Sequence, residues 1–139
     1  EANSLKTFQL EVVTPERKVY SGEATMVIVK GIEGELGILA DHVPFVTPLR
    51  IAPVTIKRDG EDQIIAVNGG FIEVHKNHVV ILAESAELPE EIDVDRAERA
   101  RERAEERLRQ SKQSNIDYHR AEIALQKAMN RLSVAKRGF

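Results

Sequence analysis

Seven cations crowd residues 96–112: Arg96, Arg99, Arg101, Arg103, Arg107, Arg109 and Lys112. Four acids lie among them, Glu98, Glu102, Glu105 and Glu106. At helical spacing such a run has two meanings. It is a solvated face laced by ion pairs three and four residues apart, such as Glu105 with Arg109, or it is an arginine-rich face that docks on an acidic partner. Further along, Arg120, Lys127 and Arg131 are separated by seven and four residues, which places them on one helical face. If the two helices fold back on each other, Asp93 and Arg96 come to lie beside Lys127 and Arg131. Three cations around one helix start suit a polyphosphate, because guanidinium forks match phosphate oxygens and helix N-termini attract anions. The alternative is three solvated side chains.

The other chemistry-bearing residues point to no reaction centre. There are four histidines, His42, His75, His78 and His119. His75 and His78, with Glu73 nearby, could be imagined around zinc, but a strand-turn spacing does not make them converge, and two solvated turn histidines are the plainer reading. No serine lies in a G-x-S-x-G elbow and no G-x-x-x-x-G-K-[ST] phosphate loop occurs. The glycines at 31, 34 and 37 do not open a helix, so they are not a dinucleotide fingerprint. Glu33 and Glu35 read as exposed hairpin acids. The absence of cysteine excludes disulfides, thiolate metal sites and cysteine nucleophiles. Net charge of −3, 4% aromatics and no tryptophan argue against a nucleic-acid binder that relies on charge or base stacking. No apolar run approaches the ~20 residues of a membrane span, and no signal peptide is read at the start.

These residues are positioned by two unlike halves. The chain has 139 residues, the length of one domain or a small domain with an appendage. All five prolines lie at or before Pro89, and seven of eight glycines precede it. Valine and isoleucine number 21 in residues 1–88 and 5 in residues 89–139. The first part has a net charge of −5 and the second +2. A stretch rich in β-branched residues and punctuated by Gly and Pro is predicted to be all-β, as a sandwich or flattened barrel of eight or more short strands. Asp59-Gly60 and Asn68-Gly69-Gly70 are predicted turns. The expected division is a β domain at 1–88 and a helical appendage at 89–139.

The appendage is predicted to be an antiparallel hairpin. Asp93 is the expected N-cap of the first helix, whose stripe is Ala97, Ala100, Ala104 and Leu108. Residues 110–115 form the loop, and Ser114 to Asp117 match an S-x-x-D start signal. The second helix carries Ala121, Leu125, Ala128, Leu132 and Ala135, widened by Ile116, Ile123 and Met129. Alanine buries little apolar area, so at ~25 cal/mol per Å2 the contact is thin. Such a hairpin is either a mobile element or a permanently docked one.

The sequence resembles the epsilon subunits of bacterial F-type rotary ATP synthases, in their Bacillus-like form. The resemblance covers residues 6–136. Its marks are Val12-Val13-Thr14-Pro15, Gly34-Glu35-Leu36-Gly37-Ile38-Leu39 with His42 and Pro44, and Gly69-Gly70-Phe71-Ile72-Glu73-Val74. The helical marks are Ile92-Asp93-Val94-Asp95-Arg96-Ala97 and Ala128-Met129-Asn130-Arg131-Leu132-Ser133-Val134.

The resemblance implies a flattened β-sandwich of about ten strands followed by a two-helix hairpin. The β domain would bind the rotor's gamma subunit and rest on the c-subunit ring, with Glu35 and His42 at rotor-contact positions. The helices would alternate between a folded hairpin and an extended form that blocks ATP hydrolysis in the head of alpha and beta subunits. Arg103, Arg107 and Arg120 would then face the acidic loop of the beta subunits. ATP would bind the hairpin as a regulatory ligand, with magnesium left open, through Glu87, Ile92, Asp93, Arg96, Ala97, Lys127 and Arg131. Lys127 departs from the Bacillus-type pattern, which has arginine there; lysine keeps the charge and loses the bidentate fork. The chain would be a non-catalytic peripheral subunit at the cytoplasmic face of the bacterial membrane. A free-standing ATP-sensing or protein-binding module is the alternative.

Overall fold

The computed structural model describes residues 6–110 and 115–138. Lys112 and Ser114 lie outside them. Eight strands come first: β1 (Phe8–Val13), β2 (Lys18–Ala24), β3 (Met26–Gly31), β4 (Gly34–Leu39), β5 (Phe45–Arg58), β6 (Glu61–His75), β7 (His78–Ala83) and β8 (Ala86–Glu87). A 3-10 turn, Pro89–Glu91, leads to helices α1 (Val94–Gln110) and α2 (Asn115–Gly138). The sheet order is β2-β1-β7-β6-β5-β3-β4, with β8 also on β6.

The long strands β5 and β6 make this sheet a sandwich. At 14 and 15 residues they would run about 46–50 Å if straight, at ~3.3 Å per residue. The first half of β5 pairs with the second half of β6, which continues to β7, β1 and β2. The second half of β5 pairs with the first half of β6 and with β3. The two long strands therefore pass from one layer to the other, and counting their halves separately gives the expected ten. The layers meet again where the Arg58 guanidinium of β5 lies 5.6 Å over the Tyr20 ring of β2. Between them Leu10, Val12, Val27, Ile38, Ile56, Ile65, Ile72 and Ile81 are fully buried.

Asp59-Gly60 forms the expected two-residue hairpin between Arg58 and Glu61, with both central φ angles positive. Asn68-Gly69-Gly70 is not a turn. It lies inside β6, where Gly69 (φ +89) and Gly70 (φ +134) bend the strand between the layers. At Gly70 the backbone also approaches closely, since a Cβ there would lie 2.1 Å from the Leu82 carbonyl oxygen. The glycine pair that reads as a turn in sequence therefore serves a kink.

Asp93 caps α1 as expected, its Oδ1 accepting the Arg96 N–H at 3.1 Å. Ala97 and Ala104 of α1, and Ala121 and Ala128 of α2, are buried in the hairpin. Ala100, Leu108, Ile123, Leu125 and Leu132 are half-buried. Met129 does not widen the buried stripe; it is 54% exposed. Ile92, just before α1, packs with Val134 and Ala135 near the end of α2, on Ala66 and Ile64 of β6. The start of one helix therefore lies beside the end of the other, which makes the hairpin antiparallel.

On the outer face Arg101 binds Glu98 at 2.7 Å and Glu105 at 3.5 Å, while Arg109 binds Glu106. The expected Glu105–Arg109 pair is not formed, because Arg101, one turn earlier, takes Glu105 and Glu106 occupies Arg109.

The strap between the halves is anchored separately. Arg17, in the β1–β2 connection, makes a two-pronged bond to Glu91, Nη1 to Oε2 at 2.9 Å and Nη2 to Oε1 at 2.6 Å. Glu91 Oε1 also accepts the Leu88 N–H at 2.9 Å. The Arg17 hydrogen bonds hold the Glu91 carboxyl below its ordinary range.

Candidate functional site

The base of the hairpin gathers the residues singled out between 87 and 97 and between 127 and 131. Glu87 ends the short strand β8, and its Oε1 accepts the Arg131 Nε–H at 2.5 Å. The two side chains are 30% and 29% exposed, so the pair stands at the rim and is open to solvent. Arg131 is thus oriented toward an anion 44 residues away in sequence. Lys127, one turn earlier on α2, is half-buried, and Arg96 in the first turn of α1 is exposed. Asp93 is exposed while it caps α1; Ile92 and Ala97 are buried, at 8% and 3% exposure. At the base the structure joins Glu87 to Arg131 and Ile92 to Val134 and Ala135, while Arg96 and Lys127 stand on the adjoining turns of α1 and α2 and form no ion pair among the described residues. Ile92 and Ala97 are mainly engaged in the packing itself.

Beneath this rim lies a buried polar contact that pattern reasoning missed. Asn130 is 6% exposed and Asn68 is fully buried. Asn130 Nδ2 donates to the Val67 carbonyl at 3.1 Å and to Asn68 Oδ1 at 3.2 Å. Asn68 Nδ2 in turn donates to Ser85 Oγ at 3.0 Å. Exchanging the oxygen and nitrogen of Asn130 would set an acceptor against two acceptors, so this network fixes its orientation. Its own Oδ1 is buried without a hydrogen-bond partner. The signal in the sequence was the spacing of Ile123, Asn130 and Val134 on the buried stripe of α2.

The remaining cations are elsewhere. Arg107 and Arg120 line a cleft of about 390 Å3 at the far tip of the hairpin, with Gln110 and Asp117. Arg103 stands with Arg99 and Arg107 along the outer face of α1. Arg103, Arg107 and Arg120 therefore do not join the base; they occupy its opposite end and outer side. None of the three has an ion-pair partner among the described residues.

Glu35 and His42 belong to a corner of the β domain. Glu35 lies in β4 and lines a cleft with residues 31–34, Leu36, Phe45, Val46 and Thr47. His42, in the β4–β5 connection, stacks obliquely on Phe45 with ring centroids 5.2 Å apart. Its Nδ1 is 2.9 Å from the Val43 carbonyl, which places a proton on that nitrogen. Phe45 thus links the two predicted residues. Four of the nine large apolar side chains exposed among the described residues, Ile32, Leu39, Val43 and Val46, also belong to this corner.

The turn histidines form no metal site. His75 Nε2 is 3.7 Å from Glu73, and the His75 and His78 rings are 6.3 Å apart. Among the described residues no three His, Asp or Glu side chains are grouped to hold a metal. No described helix is long and apolar enough to cross a membrane.

Both halves match known proteins. Residues 7–89 match the family model of the beta-sandwich domain of the ATP synthase delta/epsilon chain. Residues 90–136 match that of its long alpha-helix domain. The ATP synthase epsilon chain of Halalkalibacterium halodurans is 54% identical over 133 residues, covering 96% of this chain and all of the relative. That of Brevibacillus brevis is 59% identical over 128 residues, covering 91% and 96%. In fold, a chain of the Euglena gracilis mitochondrial ATP synthase (OSCP/F1/c-ring) is similar with a TM-score of 0.79 and 22% identity, covering 98% of this chain and 86% of that one. With matching models over both domains, in order, and bacterial relatives near half identical across almost their whole length, this chain belongs to the delta/epsilon chain family of ATP synthase.

Proposed function

We propose that this chain is the epsilon subunit of a bacterial F-type ATP synthase, a non-catalytic part of the central rotor stalk whose helical hairpin senses ATP. The observation that carries this reading is the end-to-end similarity to bacterial epsilon chains across both domains. The β domain seats on gamma and on the c-subunit ring, using the corner of Glu35 and His42, and holds the chain peripherally at the cytoplasmic face of the membrane. Solved structures of similar fold support the setting, including one described as a central stalk and c-ring of Tetrahymena thermophila (TM-score 0.55, 16% identity, covering 97% of this chain and 98% of that one).

In the folded state ATP binds at the hairpin base. Arg96, Lys127 and Arg131 take the phosphates, Ile92 and Asp93 the adenine, with Ala97 and Glu87 at the edge. Support for this comes from the cation set around a helix start and from Arg131, already turned to an anion by Glu87. Released, the helices extend toward the alpha and beta subunits, where Arg103, Arg107 and Arg120 meet the acidic loop of beta and stop hydrolysis. Among the described residues none of the three forms an ion pair, which supports their use against an acidic partner. ATP is a ligand here and not a substrate; it favours the hairpin by RT ln(1 + [ATP]/Kd), about 2.7 kcal/mol at a hundredfold excess.

Calorimetric titration of ATP into the chain tests the sensor, with and without magnesium and with Arg131→Ala. Saturable heat that Arg131→Ala removes is expected. No heat, or heat unchanged by the substitution, refutes sensing at this site and leaves the rotor role standing.

A further inference from the structure

Arg50 has an unusual set of partners for a surface arginine. It is exposed and belongs to β5, yet no carboxylate among the described residues binds it. Instead its Nε donates to the Gly31 carbonyl at 3.2 Å and its Nη2 to the Ile32 carbonyl at 2.7 Å. These successive carbonyls form the turn between β3 and β4. One rigid guanidinium plane bonded to both fixes two peptide planes, and with them the tilt of the turn.

The β3–β4 ladder closes the turn without a break, ending at Gly31 with Gly34, but on the β5 side the turn is held less evenly. The β3–β5 ladder pairs residues 26–28 with 55–57, then slips, and resumes only at Gly31 with Leu49. The β5–β6 ladder pairs Leu49 with Gly70 and Ile51 with Asn68, leaving Arg50 opposite the bent Gly69. On its β5 side the turn therefore stands beside an irregular stretch of the sandwich, which Arg50 bridges. The Nε bond is partly buried and the Nη2 bond exposed, and together they orient the turn whatever they add to stability.

What the turn presents is a mixed surface. Ile32 and Val46 are 51% and 61% exposed, and Glu33 and Glu35 have no ion-pair partner among the described residues. Apolar side chains beside unpaired acids suit a partner loop that carries both apolar and basic groups.

We propose that Arg50 is the positioning residue of the rotor-docking corner, clamping the Gly31 and Ile32 carbonyls so that Ile32, Glu33 and Glu35 meet the rotor in one orientation. This rests on the proposed docking of the β domain on the rotor. It adds a residue outside the contact surface, on which the angle of that surface depends.

The test uses the full chain added back to epsilon-depleted ATP synthase in membrane vesicles. Binding and ATP-driven proton pumping are measured for Arg50→Ala, Arg50→Lys, Glu35→Ala and Ile32→Asp. Arg50→Ala is expected to weaken docking at least fivefold. Arg50→Lys, which can reach one carbonyl, is expected to recover part of that loss. In hydrogen exchange of the free chain, Arg50→Ala should speed residues 31–37 and leave β1 and β7 unchanged. If the contact variants weaken docking and Arg50→Ala does not, the positioning role is overturned and the docking reading stands. An Arg50→Ala variant that loosens β1 and β7 as much as the turn overturns it also, since the effect is then general stability. If none of the variants weakens docking, the corner is not the rotor contact and the proposal falls with it.

Discussion

Replacing Asn130 with alanine is expected to release the hairpin while leaving the sandwich folded. The docked helix supplies one amide group that serves two acceptors, the Val67 carbonyl and Asn68 Oδ1, at 3.1 and 3.2 Å. Alanine removes both donations in the docked state only, because water reaches the same acceptors once α2 lifts. Two such bonds at a net of about 1 kcal/mol each give a loss of about 2 kcal/mol. Some is returned, since the substitution also removes the buried and unpartnered Asn130 Oδ1, whose desolvation costs at least about 1 kcal/mol. The net is about 1 kcal/mol, a shift of roughly 5-fold toward the released state. Hydrogen exchange read by mass spectrometry reports this directly. Peptides from 94–110 and 117–138 should exchange faster by that factor, and peptides from β1 and β7 should not change. Helical exchange within twofold of the parent chain would refute the argument. So would an equal acceleration across β1 and β7, which would place Asn130 in global stability.

Three further outcomes follow from local geometry. The Glu91 carboxyl has a depressed pKa in the folded chain, caused first by its hydrogen bonds from Arg17, so its contribution is complete above the ordinary value of 4.5 and fades as pH falls through the lower folded value. Exchange of residues 88–92 should therefore quicken as pH drops below that value, after correction for intrinsic rates, and Glu91→Gln should abolish the pH-dependent part. Gly70→Ala places a Cβ 2.1 Å from the Leu82 carbonyl at φ +134. A cost of about 3 kcal/mol or more is expected, visible as a melting point lower by roughly 10–25 °C. Asp93→Ala removes the cap on the Arg96 N–H and should cost the hairpin about 1 kcal/mol, with Asp93→Asn restoring most of it, as followed by helical circular dichroism on heating.

What the sequence revealed depended on whether a signal was local. Asp59-Gly60 was legible because a two-residue loop with both φ angles positive needs this chemistry within itself. Asp93 was legible because a cap acts on an amide three residues away. Gly69-Gly70 misled for the converse reason: the same freedom at positive φ serves a bend set by two sandwich layers, which no local window contains. The Glu87–Arg131 pair spans 44 residues, and only a family resemblance grouped its members. Arg50 carried no signal at all, since a single arginine in a strand does not disclose that its partners are carbonyls across the sheet.

The composition of the hairpin sets the energy scale on which the proposed ATP ligand would act. Ala97, Ala104, Ala121 and Ala128 are each at most 3% exposed. At ~0.8 kcal/mol per buried carbon group their methyls contribute about 3 kcal/mol together, before any cost of ordering the helices. The docking contact adds Val134 and Ala135 on Ala66 and the Asn130 network, whose hydrogen bonds are largely exchanged for water when the helix lifts. This network fixes where α2 sits and adds about 1 kcal/mol to how tightly it sits. A ligand at a hundredfold excess over Kd supplies about 2.7 kcal/mol, which is the same size as the alanine contribution and can therefore decide the state. Leucine at the same four positions would add three carbons each, about 10 kcal/mol at the same rate. Against that, binding of a nucleotide would change nothing measurable. Small residues at the helix interface and one buried asparagine at the sheet are thus what the proposed ligand control of the hairpin would require: a contact specific enough to re-form in one register and weak enough for a ligand to shift.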